Sequence, residues 1–115
     1  MTRVLAIAAA LEVATGAALL VVPSLVGELL LGGALTGMAA AAARVAGIAL
    51  IALAVACWRN SPLLGMLTYG VLVTLYLAYL GLWDGMAGPL LWPAVGLHAV
   101  LSTLLGRAWL AAEAG

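Results

Sequence analysis

Lysine and phenylalanine are missing altogether, and cysteine and histidine occur once each. Each shortage closes a class of function. A single thiol, Cys57, has no internal partner for a disulfide, and one thiol with one imidazole falls short of a zinc site. Cys57 fits instead the small apolar packing residue that a free cysteine usually is. Four arginines against four acids leave a formal net charge of zero, so the chain has no basic footprint for DNA or RNA. Nucleophilic chemistry has little support, because Ser24, Ser61 and Ser102 sit in no elbow motif and only one histidine is present to act as a base. No motif implies a metal or a cofactor.

Charge of either sign is also scarce, at 7% of the 115 residues against 68% hydrophobic, which lies far outside the range of a soluble domain. Lipid is the solvent this composition suits. The bias toward Ala, Leu, Gly, Val and Arg suggests a GC-rich bacterial genome.

About 20 helical residues cross a hydrocarbon core of about 30 Å. Four stretches reach that length: 4–22, 38–58, 63–82 and 90–110, each ended by charge, Pro, Gly or Asn. The expected fold is an all-α membrane four-helix bundle forming a single transmembrane domain. Arg3 ahead of the first apolar run resembles the start of a secretory signal, but Glu12 interrupts the run, its length suits spanning, and more membrane segments follow. It reads as a retained helix. Arg59-Asn60-Ser61-Pro62 and residues 83–89 are short turns that force antiparallel neighbours. The connection from Pro23 to Gly37 is longer and apolar around Glu28; it reads either as a short helix in the membrane interface or as an irregular loop packed on the bundle.

Arginine placement sets the expected orientation, since cytoplasmic flanks collect Lys and Arg. With both termini cytoplasmic, Arg3, Arg59 and Arg107 fall inside and Glu28 and Asp84 outside. Trp58 and Trp109 then anchor the inner interface, and Trp83 and Trp92 the outer one.

Inside the spans lie groups that cost free energy in hydrocarbon. Glu12 sits near the middle of the first, where a carboxylate costs roughly 2.5–3.5 kcal/mol on insertion scales. Counted from the outer helix ends at 1.5 Å per residue, Glu12 lies about 15 Å deep, Arg44 about 9 Å, Thr74 about 12 Å, Tyr76 about 9 Å and His98 about 8–13 Å. Each shares a helix face with small residues, as His98 does with Ala94, Ser102 and Gly106. The expectation is one intramembrane polar layer of Glu12, Arg44, Thr74, Tyr76, His98 and Ser102. Within it a Glu12–Arg44 ion pair closes an axial gap of about 6 Å, and His98 joins as donor or acceptor.

The succession LEVATG, VPSLVGELLLG, ARVAGIAL, TYGVLVTLYLAYLG and LLWPAVGLHAV resembles small four-helix bacterial inner-membrane proteins and, more distantly, DoxX-like proteins. The resemblance implies a four-helix bundle and, for DoxX relatives, association with quinone-linked redox systems; it implies no catalytic residue. The chain is also similar in length, helix number and first-helix acid to small multidrug resistance transporters, but their third-helix aromatic and Gly pattern is missing.

Three functions remain in view. The leading expectation is a non-enzymatic accessory or structural membrane protein. A proton-coupled transporter of small solutes comes second, and a quinone- or lipid-binding subunit of a membrane redox system third. The partners expected are the lipid bilayer and either a second copy of the chain or a membrane partner subunit.

Overall fold

The computed structural model describes residues 3–114. They form five helices and, among the described residues, no strand: α1 (Arg3–Val21), α2 (Pro23–Leu31), α3 (Gly37–Arg59), α4 (Pro62–Leu82) and α5 (Leu91–Ala114). Four of these, α1, α3, α4 and α5, are long and apolar enough to cross a membrane. Their ends lie within one residue of the expected spans, except that α5 runs on to Ala114 because Ala-Ala-Glu-Ala contains no helix breaker.

The boundaries have local causes. Pro23 ends α1, since proline lacks an N–H and its ring clashes with the carbonyl four residues back. The same proline is well placed at the start of α2. The 23–31 segment is therefore helical rather than an irregular loop. It closes on Gly32, which takes a left-handed φ of 81° and donates to the Glu28 carbonyl. The turn between α3 and α4 is built from three consecutive residues. Asn60 adopts φ 48°, the Ser61 N–H returns to the Ala56 carbonyl, and the Ser61 hydroxyl accepts from the Leu64 N–H at 3.1 Å ahead of Pro62.

The four spanning helices pack in a row in chain order. α1 lies against α3, α3 against α4 and α4 against α5, and among the described residues neither α1 and α5 nor any other non-neighbouring pair of spans is in contact. The molecule measures 48 × 38 × 16 Å, one thin dimension and two long ones, where a closed two-by-two arrangement at 8–10 Å axis spacing would have two short ones. The bundle is thus an open one.

Glycine sets each seam. A Cβ on Gly16 would lie 2.7 Å from the Gly47 carbonyl oxygen, and one on Gly47 would lie 2.5 Å from that of Gly16, so α1 and α3 touch backbone to backbone. Gly65 meets Ala56 across α3–α4. Gly70 meets the Ser102 side chain, and Gly81 meets Leu91 and Trp92, across α4–α5. With no hydrophobic drive between helices in lipid, such close approaches supply the van der Waals contact that holds spans together. What is buried follows the seams: Ala9, Ile48, Ala52, Ala54, Val73 and Leu80 form the core, whereas α5, at the end of the row, has no buried residue.

Candidate functional site

The expected polar layer divides into four parts, and the Glu12–Arg44 pair is not formed. The reason is register. Gly16 and Gly47 mark the crossing of two antiparallel helices. Glu12 precedes Gly16 by four residues and Arg44 precedes Gly47 by three, so the two charges lie on opposite sides of the crossing, about 10 Å apart along the axes at 1.5 Å per residue. Counting depth from the helix ends assumes that the ends align. They do not, because Arg44 is level with the last turn of α1 and the residues of α3 before it extend beyond α1, where α2 packs on them.

Arg44 has another partner. Its Nε–H donates to the Leu20 carbonyl at 3.1 Å. The last four carbonyls of a helix lack intrahelical donors, and Pro23 ensures that α1 cannot continue and supply them. A guanidinium at this point satisfies one of these carbonyls and meets the negative end of the helix dipole. Arg44 therefore closes α1 from the neighbouring helix.

Glu12 is half-buried on the α3-facing side of α1 and has no hydrogen bond or ion pair among the described residues.

Thr74, His98 and Ser102 come together along the α4–α5 seam. Because Gly70 faces Ser102 in an antiparallel pair, Thr74, one turn after Gly70, lies level with His98, one turn before Ser102. The Thr74 hydroxyl donates to the Gly70 carbonyl at 2.6 Å. The His98 Nδ1 lies 2.8 Å from the Ala94 carbonyl. A carbonyl only accepts, so Nδ1 carries the proton and Nε2 of the neutral ring is an acceptor. The His98 ring stands 6.2 Å from that of Tyr69, tilted by 60°. The Ser102 Oγ is buried against Gly70 without a hydrogen-bond partner among the described residues.

Tyr76 belongs to neither group. Its hydroxyl is buried without a hydrogen-bond partner among the described residues, and its ring stacks on Tyr79, which stacks in turn on Trp83. Trp58 and Trp109 lie at one end of the row and Trp83 and Trp92 at the other. Trp83 is 72% exposed, whereas Trp92 packs its ring on Gly81 and closes the top of the α4–α5 seam. Antiparallel packing likewise gathers Arg3, Arg59 and Arg107 toward one end and Glu28 and Asp84 at the other.

Two cavities accompany this arrangement. One, of about 370 Å³, opens between α3 and α4 on the side of the arginine-rich end and is lined by apolar residues and Tyr69. The second, of about 330 Å³, lies between α1 and α2 and is open and apolar apart from Thr15. Neither is lined by an ionisable acid, base or histidine. Among the described residues no cluster of His, Cys, Asp and Glu is able to hold a metal ion. Comparison with known proteins finds no matching family model, no matching curated protein and no matching solved structure.

Proposed function

We propose that this multi-pass membrane protein resides in a bacterial inner membrane with both termini cytoplasmic and serves as a non-enzymatic accessory or structural subunit. The observation that carries the reading is where its intramembrane polar groups are spent. Arg44 is used on a helix end, Thr74 and His98 bond to carbonyls of their own helices, and none of the three lines either of the two cavities described above. A carrier or enzyme needs polar groups that converge on an enclosed site. A row of helices with lipid on both sides encloses none. Orientation rests on the gathering of Arg3, Arg59 and Arg107 toward one end of the row. Protein reconstituted in vesicles is expected to move neither protons nor a cationic dye under an imposed pH gradient, and crosslinking in native membranes is expected to capture a larger membrane protein. Dye uptake driven by the gradient would overturn the reading.

Glu12 favours a second reading. An acid without an ion-pair partner on a spanning helix is the group that a proton-coupled transporter needs, and the row would then have to be completed by a second copy. In that case uptake appears with the wild-type protein and is abolished by Glu12→Gln.

A further inference from the structure

The cavity between α3 and α4 takes no part in the function proposed above, and its shape has a simple origin. On α3 the residues facing the gap are Ala49, Ala52 and Ala56, which leave a floor without bulk. On α4, Gly65 sits directly on Ala56 and draws the two helices together at the base. Leu53 on one side and Met66 with Tyr69 on the other rise as walls. The product is an apolar trench open along its length to the surroundings of the helices.

From Ala49 to Ala56 the trench follows α3 for about 10 Å, and Arg59 stands one turn further, about 15 Å from its deep end at 1.5 Å per residue. That is half of a hydrocarbon core of about 30 Å, the depth of one leaflet. Arg59 is exposed in the last turn of α3, has no ion-pair partner among the described residues, and is followed by Asn60, whose side chain is also exposed. No acid occurs in the stretch from Trp58 to Pro62 or among the residues lining the trench. A guanidinium is the side chain best matched to a phosphate, through its planar fork of donors. An apolar trench one leaflet deep with an uncompensated guanidinium beyond its mouth has the chemistry of one molecule, a phospholipid with an acidic headgroup.

We infer that the α3–α4 trench is a binding site for an anionic phospholipid, with one acyl chain lying along Ala49, Ala52 and Ala56 and the headgroup phosphate on Arg59. Zwitterionic lipids offer the same chains and the same phosphate but carry their own ammonium beside it, so the net negative charge that Arg59 meets only in an anionic lipid supplies the discrimination, and the trench supplies the retention.

The test uses the full chain in nanodiscs of equimolar phosphatidylglycerol and phosphatidylcholine, released and weighed by native mass spectrometry. One retained phosphatidylglycerol per chain is expected, at about fivefold preference, the ratio for the attraction of one arginine to a net negative lipid. Arg59→Gln is expected to remove the preference while leaving a lipid bound. Ala49→Leu, which fills an exposed part of the trench, is expected to lose the retained lipid of either kind, with helicity by circular dichroism unchanged. Arg107→Gln, at the same end of the row but on α5, is expected to leave the preference intact. Equal retention of both lipids by the wild-type protein would overturn the inference. So would a loss of preference in Arg107→Gln as large as that in Arg59→Gln, since attraction would then be a property of the whole end of the row.

Discussion

Arg44 and Glu12 are charged groups on spanning helices with opposite consequences for stability. A charged donor on a carbonyl contributes roughly 1.5–3 kcal/mol, so Arg44→Leu is expected to destabilise the protein by about that amount in a detergent unfolding titration. Glu12 forms no compensating bond, and Glu12→Leu is expected to leave stability unchanged or to raise it, given the roughly 2.5–3.5 kcal/mol cost of a charged group at the centre of a span. A double-mutant cycle between the two is expected to show coupling below about 0.5 kcal/mol, the value for separated sites. Coupling well above that would restore the ion pair. The sequence made both residues conspicuous but assigned them to each other, because two opposite charges at similar distances from helix ends look like partners. The better signal was Pro23. A proline that ends a spanning helix leaves carbonyls without donors inside a membrane, and the arginine nearest to them on the next helix is the group that can answer.

Elements were far more legible than sites. The spacing of Arg59, Asn60, Ser61 and Pro62 contains a left-handed cap, a side-chain cap and a first-turn proline, so the α3–α4 turn was readable to within one residue on each side. The 23–31 segment left two readings open, since Gly27 and the run of leucines suit a loop or a helix; Pro23 at its start and Gly32 at its close decide for the helix. What no local pattern encodes is the axial offset between helices. Gly16 and Gly47 fix it for α1 and α3, through a contact that admits no side chain on either helix. Gly47→Ala is therefore expected to cost about 1–3 kcal/mol, the range for overpacking a close contact, measured by the same titration. A similar change at Gly96, which has open space around it, is expected to cost nothing measurable.

At the scale of the whole molecule, the expected four-helix bundle exists as a row, and the sequence carries no statement about that because each span is apolar on most of its circumference. Small residues mark where a helix can be approached, but they do not say how many neighbours it has. Disulfide trapping distinguishes the arrangements. In a Cys57→Ala background, Val13→Cys with Thr103→Cys is expected to give no intramolecular crosslink, since α1 and α5 do not touch. Its appearance in a monomer would mean that the row closes.

A row also has a mechanical consequence. Each helix is held only by the next in line, so stability is a sum of nearest-neighbour terms, as in a stacked repeat array. Such a chain opens from an end instead of melting all at once. The end with no buried residue is α5, fixed by the Gly70–Ser102 and Gly81–Trp92 contacts. It can part from the row while the α1–α3 pair stays closed, and because its amides are bonded within the helix the opening is read at side chains: in a Cys57→Ala background, Ser102→Cys is expected to be alkylated by a lipid-soluble thiol reagent before Ile48→Cys. The helix that a row gives up first is its last, and what then still ties α5 to the rest is the 83–90 connection.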